Sequence, residues 1–343
     1  MITSIHMRRL LCLAAVVTLF ATVAASADQL AIKFSLDWKF EGPSAAYFVA
    51  LDKGYYKAEG LDVTIDTGKG SLEAIPRVAS GVYQLGFADI NSLIKFRDKN
   101  PDVDIKGVLM VYDAPPFAII TLGKTGIKAP RDLEGRILGA PAPDGAYAQW
   151  KAFVKENGID ASKVKIENVG FPVREPMLVA GEVDAITGYS FSSFLNLKSK
   201  GIAPDQIRVL LMSNYGLDLY GNTIIVNPAF AAENPEAVRG FVRATIKGWQ
   251  DTVADPEAAV KHVLKRNLIA RAPVELERLN MCIADNVRTS YVQAHGFGGV
   301  DMARLGKSIE QIAVTYTFTN PAPAPEAVFT NDYLPPQAER VLP

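Results

Sequence analysis

The side chains that could do chemistry in this chain are carboxylates and aromatic rings. Asp37, Glu41, Asp89 and Asp144 fall in short turn-like stretches that also carry Trp38, Phe40, Tyr47, Tyr147, Tyr189 and Phe191; Lys69 and Arg174 are the bases among them. Carboxylates drawn out of water suit amino groups or protonated ring nitrogens and repel small anions. Aromatic faces suit a flat ligand, each stack adding on the order of 1 kcal/mol beyond area burial. Ser71, Asn91 and Ser190 add neutral hydrogen-bonding groups to the same stretches, and Tyr220 adds a ring just before a later strand. The candidate ligand-binding set is therefore Asp37, Trp38, Glu41, Ser71, Asp89, Asn91, Asp144, Tyr147, Arg174, Tyr189, Ser190 and Tyr220. Structural duties compete for some of these. Asp144 and Ser71 each stand just before a helical stretch, where an N-cap belongs. Gly68-Lys69-Gly70-Ser71 could cradle an anion on backbone N–H groups but lacks the spacing of a nucleotide-binding P-loop.

Other chemistries are poorly supplied. Three histidines and two cysteines cannot furnish a zinc cluster, an iron–sulfur site or a disulfide framework. No G-x-S-x-G or H-E-x-x-H motif occurs. Nothing singles out two of the 37 acids as a glycosidase pair. Lys plus Arg (36) nearly balances Asp plus Glu, so no strong field exists to hold nucleic acid or an anionic membrane. The expectation is a binding protein, not an enzyme, with no cofactor and no metal.

The elements that must position these residues form a pattern that occurs twice. At 343 residues the chain exceeds what one core usually serves. In the first copy a strand Ala31–Leu36 leads to a helix from about Ser44 to Glu59, closed by Gly60. A strand Leu61–Asp66, a helix ending near Gly81 and a strand Gln84–Ala88 follow. The second copy runs from a strand at Arg136–Ala140 through a helix Asp144–Asn157, closed by Gly158, to strands Val164–Val169 and Asp184–Thr187. Strands alternating with helices imply βαβ units and parallel sheets. The predicted fold class is α/β: two doubly wound lobes joined by two hinge crossings, near Tyr112–Phe117 and Tyr220–Thr223. Lobe 1 would comprise 28–115 plus 223–343, and lobe 2 residues 116–222. Ligands of open α/β sheets bind beyond the carboxyl ends of the strands. That rule selects loops 37–43, 67–71 and 88–92 facing loops 140–147, 170–175 and 187–192 across a cleft. Four helices are expected after the second crossing, at 234–251, 256–266, 273–289 and 301–316.

Residues 1–27 read as a cleaved signal peptide: Arg8-Arg9, an apolar run Leu10–Ala25, and the small-x-small ending Ala25-Ser26-Ala27. Its removal takes the net charge from −1 to −3, because two arginines and no acids leave with it. The expected product is a soluble periplasmic protein with Cys282 as its one cysteine.

Leu36-Asp37-Trp38, then Tyr47-Phe48-Val49-Ala50, then Lys53-Gly54-Tyr55-Tyr56-Lys57-Ala58-Glu59-Gly60-Leu61-Asp62-Val63 is similar to the opening of solute-binding proteins related to thiamine-pyrimidine synthase. Asn214–Tyr220 and Thr330–Pro335 fit the same pattern, so the resemblance spans nearly the whole mature chain. It implies a periplasmic binding protein of the two-crossing type (type II) feeding an ABC importer. Relatives of this kind take formylaminopyrimidine, riboflavin, taurine, alkanesulfonates or nitrate. The family's pyrimidine binders carry Asp-Trp-x-Pro-Asn-x-x-His where this chain reads Asp37-Trp38-Lys39-Phe40-Glu41-Gly42-Pro43-Ser44, so Pro-Asn and His are absent. Its sulfonate binders offer hydroxyls at the second lobe's helix start, where Pro141-Ala142-Pro143-Asp144-Gly145 stands instead. The enzymatic branch, with its active-site histidine and cysteine-rich iron motif, finds no matching motif. With the loop chemistry, the expectation is a receptor that closes over a small heteroaromatic solute and then meets an ABC permease; one ligand per chain needs no partner subunit, so a monomer is expected. The alternatives are a receptor for sulfonate, taurine or another small organic acid, and a non-transport sensor.

Overall fold

The computed structural model describes residues 29–314 and 316–343; the signal peptide expected at 1–27 lies outside the described residues. In chain order the strands are β1 (Leu30–Ser35), β2 (Leu61–Asp66), β3 (Leu85–Asp89), β4 (Lys106–Met110), β5 (Phe117–Leu122), β6 (Ile137–Ala140), β7 (Lys165–Asn168), β8 (Ala185–Tyr189), β9 (Ile207–Leu211) and β10 (Asn222–Val226). They form two five-stranded sheets, ordered β2-β1-β3-β10-β4 and β7-β6-β8-β5-β9. The two copies of the repeat occupy equivalent places. In each, the first strand is flanked by the other two in parallel, with Leu30 opposite Leu61 in one sheet and Ile137 opposite Lys165 in the other.

The expectation of wholly parallel sheets needs correction. β10 runs antiparallel between β3 and β4, and β5 runs antiparallel between β8 and β9. Both are strands that begin directly after a crossing, so each enters its sheet from the cleft side, opposite to the repeat strands.

Both sheets are covered on two faces. Along β10, Ile224 and Val226 join one apolar cluster and Ile225 the other, as period-two alternation requires. Along β5, Phe117 and Ile119 face one cluster while Ala118, Ile120 and Leu122 face the next. In the first lobe Phe34 meets Tyr47 and Phe241 edge-on, each at 5.1 Å between ring centres. The helix Pro235–Ala254 approaches Ala45–Asp52 so closely that a Cβ on Gly248 would lie 2.2 Å from the Ala46 carbonyl oxygen.

Helix ends follow local chemistry more finely than the sequence pattern suggested. The helix expected over 44–59 is two, Ala45–Asp52 and Tyr55–Ala58, because Gly54 takes a left-handed φ of 74° between them. The helix expected from Asp144 begins at Trp150 after a 3-10 turn at Tyr147–Gln149, since Pro141, Pro143 and Gly145 keep the preceding loop out of helix. The four later helices expected are found at Pro235–Ala254, Pro256–Leu264, Ala272–Cys282 and Met302–Ala313, with short helices besides at Pro228–Glu233, Ser290–His295 and Pro325–Val328. The third stops short of the expected 289 because Ile283–Val287 forms a π-helical turn.

The chain passes between sheets twice, between β4 and β5 and between β9 and β10. Arg304 holds both passages with one guanidinium. It donates to the Asp113 carboxylate (2.9 Å) and carbonyl (2.8 Å) in the first, and to the Leu219 carbonyl (2.9 Å) in the second.

Candidate functional site

The loops at the carboxyl ends of β1, β2, β3, β6, β7 and β8 converge on one cleft, and each contributes to its wall. From the first lobe come Leu36–Lys39, Glu41, Gly70, Ser71 and Ser92; from the second come Pro143–Gly145, Phe171, Arg174, Tyr189, Phe191 and Ser192. The space between the walls is about 860 Å³, counting the part open to solvent.

Aromatic rings bridge the lobes. Trp38 meets Phe171 edge-on at 5.3 Å. Phe87, Tyr112, Phe191 and Tyr189 form a continuous chain of ring contacts at 5.3, 6.3 and 6.1 Å. Further ties close the walls: the Tyr189 hydroxyl donates to Asn222 Oδ1 (3.1 Å), Lys95 Nζ to the Ala148 carbonyl (3.2 Å), and Lys198 pairs with Glu277 (2.6 Å).

The carboxylates are withdrawn from water. Asp37 accepts from Asn222 Nδ2 (2.7 Å) and Ser71 Oγ (3.2 Å), both on Oδ2. Burial pushes its pKa from 3.8 up to about 7, and the charge of Asp89 adds to the rise against the Asn222 and Ser71 bonds. Asp144 accepts from Thr187 Oγ1 (2.6 Å) and from the Ala146 N–H (3.3 Å); burial raises its pKa too, opposed by the charge of Arg174. Burial likewise raises Glu41, opposed by Arg278 at 3.4 Å. Arg174 is already engaged. Its Nη2 reaches Glu175 (2.6 Å) and Ser193 Oγ (2.9 Å), Nε reaches Glu175 (3.1 Å), and arginine and glutamate are both buried.

Of the expected residues, Asp37, Trp38, Glu41, Ser71, Asp144, Arg174 and Tyr189 are brought together on the walls. Five stand elsewhere, and their expected places are corrected. Asp89 caps the helix Ile90–Lys99, accepting from the Asn91 and Ser92 N–H groups. Asn91 donates to Asp89 and to the Tyr220 carbonyl behind the wall. Tyr147 packs half-buried on the second lobe's core. Ser190 is buried at the start of a helix, its N–H on the Pro116 carbonyl. Tyr220 faces the far side of the first sheet, where its hydroxyl accepts from the Asp301 N–H and Arg304 covers its ring at 3.9 Å.

Several wall residues were not in the expected set. Tyr47 and Phe191 are rings beside the loops that the candidate set leaves out. Phe171 lies in the loop 170–175 expected to face the cleft, though it is outside the candidate set; Phe87 lies inside a strand and Tyr112 in a crossing, and no spacing marks either. Asn222, which joins Asp37 to Tyr189, hides as the first residue of β10. Among the described residues no group of three His, Cys, Asp or Glu side chains converges as a metal site would. His262 pairs with Asp52, His295 stacks on Tyr291, and Cys282 is a buried free thiol. No described helix is long and apolar enough to cross a membrane.

A family model described as NMT1/THI5 like matches residues 43–259, more than half of the chain. The chain belongs to the NMT1/THI5-like family. It is 26% identical to the riboflavin-binding protein RibY of Chloroflexus aurantiacus, over 85% of this chain and 82% of that one. It is 28% identical to the formylaminopyrimidine-binding protein of Halalkalibacterium halodurans, over 76% and 79%. Enzymes are related as well: a 4-amino-5-hydroxymethyl-2-methylpyrimidine phosphate synthase of Aspergillus parasiticus is 25% identical over 71% and 72%. Among solved structures, the periplasmic aliphatic sulphonate binding protein SsuA of Escherichia coli superposes with a TM-score of 0.70 at 13% identity, over 89% of this chain and 99% of that one. That likeness establishes the periplasmic-binding-protein fold.

Proposed function

We infer that this chain is the exported solute-binding component of an ABC importer, and that it captures a small heteroaromatic solute between its lobes. One observation carries the reading. Aromatic walls enclose the buried carboxylates of Asp37 and Asp144, while the buried cation at hand, Arg174, is already neutralised by Glu175. Such a cleft favours a flat molecule with amino or ring N–H donors and penalises a free anion. The relatives named for riboflavin and formylaminopyrimidine fit this chemistry, and both are binding proteins. Closure places ligand contacts from both lobes on the solute at once, and the closed form is what a permease would meet.

The direct test is a thermal-shift titration with riboflavin, formylaminopyrimidine and taurine. A true ligand at ~100 times its Kd adds about 2.7 kcal/mol of stability. Stabilisation by a ring compound, together with quenching of Trp38 fluorescence that is lost in Trp38→Phe, supports the reading. Stabilisation by taurine alone, abolished by Arg174→Gln, would replace it with an organic-acid receptor.

A further inference from the structure

Asn222 does not line the cleft, yet it connects the cleft's acid to the opposite lobe. It is fully buried at the first position of β10, where the chain has just returned from the second lobe. Its carbonyl oxygen accepts from the Val111 and Tyr112 N–H groups (3.0 and 2.9 Å), so the residue is pinned to the first crossing as well. Its side-chain amide then faces two ways: Nδ2 donates to Asp37 Oδ2 at 2.7 Å, and Oδ1 accepts from the Tyr189 hydroxyl at 3.1 Å. Asp37 belongs to the loop after β1 in one lobe, and Tyr189 ends β8 in the other. Ser71 Oγ completes the row by donating to the same Asp37 oxygen, while it accepts from the Asp89 N–H at 2.9 Å.

The convergence on Oδ2 has a consequence for binding. Both side-chain donors that reach Asp37 meet Oδ2, and it is the other oxygen that we assign to a ligand donor. An amide held by one partner alone can rotate; one held by both is fixed. Tyr189 and Asn222 belong to different lobes, so separating the lobes would break this bond and free the amide that orients the carboxylate.

We propose that Asn222 is a positioning residue that makes the orientation of the ligand-accepting carboxylate of Asp37 conditional on closure of the two lobes. The proposal rests on the cleft being the ligand site. The latch half of it, the Tyr189–Asn222 bond, operates in the empty protein and is measurable without any ligand.

Two measurements separate these parts. Spin labels at Leu72→Cys and Val173→Cys, exposed beside Ser71 and Arg174 on facing walls, report the interlobe distance, and Cys282 is buried away from the label reagent. Without ligand, Asn222→Ala and Tyr189→Phe should each shift the distribution to longer distances, and the double variant should go no further. Distances unchanged in both single variants, or shifts that add fully, overturn the latch.

The second measurement is a titration with riboflavin and with formylaminopyrimidine across pH. The charged groups around the pair are Asp89 behind the wall, Lys39 and Glu41 on the loop of Asp37, and Asp144 and Arg174 across the cleft. Asn222→Asp replaces the amide by an isosteric acid. At pH 5.5 a shared proton lets it donate to Asp37 as the amide does, so affinity should stay within about threefold of wild type. At pH 8 the two anions repel, and affinity should fall by tenfold or more, whereas Asn222→Leu should bind weakly at both pH values. An Asn222→Asp profile parallel to wild type shows a merely structural role and sinks the positioning claim. If neither compound binds wild type, the ligand-site reading fails, and the positioning claim with it, while the spin-label distances still decide the latch.

Discussion

Replacing Asp37 by Asn is the most informative single change in the cleft, because it removes a charge and keeps the shape. In the folded protein the carboxyl titrates at about 7, against 3.8 for the ordinary group, mainly because burial penalises its anion. A carboxyl raised in this way is fully compatible with folding below the unfolded pKa. Between the two values the unfolded chain has released its proton and the folded chain has not, so stability falls as pH rises. The fall ends above the folded pKa. At 1.36 kcal/mol per unit, the whole displacement corresponds to about 4 kcal/mol, of which about 2–3 kcal/mol is lost between pH 5 and pH 8. The substituted amide has no proton to release in this range and still accepts from Asn222 through its own oxygen. The stability of Asp37→Asn minus that of wild type should therefore grow by about 2–3 kcal/mol over this interval. Urea unfolding of both proteins at pH 5, 6, 7 and 8 measures it, and subtraction cancels every other titrating group. The two profiles running parallel would refute the argument, since they would mean that Asp37 is solvated or paired in solution. A ligand whose donor meets Asp37 should flatten the wild-type slope, because it stabilises the anion in the folded state alone.

Other outcomes follow from the same geometry. Trp38→Ala removes the ring that closes on Phe171 and should weaken riboflavin or formylaminopyrimidine binding about tenfold in calorimetry, by the loss of one stack. Arg174→Gln strands the buried Glu175 and should lower stability by about 3 kcal/mol in urea unfolding; Arg174→Gln with Glu175→Gln should recover most of that. Arg304→Ala releases both crossings at once and leaves Asp113 buried without its cation, which should lower the unfolding free energy by about 3 kcal/mol.

The sequence makes one half of the architecture easy to read and conceals the other. The repeat strands β1, β2, β3 and β6 end at or just before glycine or acid residues, and those punctuation marks place loops that form the cleft. β5 is different: Phe117 to Leu122 is buried on both faces, so its run shows no alternation from which a strand or its direction could be argued. The antiparallel strands β5 and β10 follow the crossings, and a pattern built on repeats has no place for them. Site residues divide along the same line. Asp37, Ser71, Asp144 and Arg174 sit in repeat loops and are legible from position. Phe87 points inward from mid-strand, and Tyr112 and Asn222 belong to the passages between sheets. Tyr220 and Asn222 are two apart, and extended chain would give them one face. β10 begins only at Asn222, however, and Tyr220 turns under Arg304 to the other side of the sheet.

The division also bears on how a receptor of this build can change ligand without changing fold. The six repeat loops offer donors, acceptors and rings independently, so exchanging Trp38 or Phe171 alters one wall and leaves the sheets intact. The residues of the crossings have no such freedom. Asn222 is held through its backbone by Val111 and Tyr112 and through its side chain by Asp37 and Tyr189. Arg304 ties Asp113 to Leu219 a few residues away. A substitution there acts on the relation between the lobes before it acts on any solute. On the proposed reading, specificity is therefore carried by the loops, and the strength with which closure is coupled to the occupied site is carried by the two passages of chain between them.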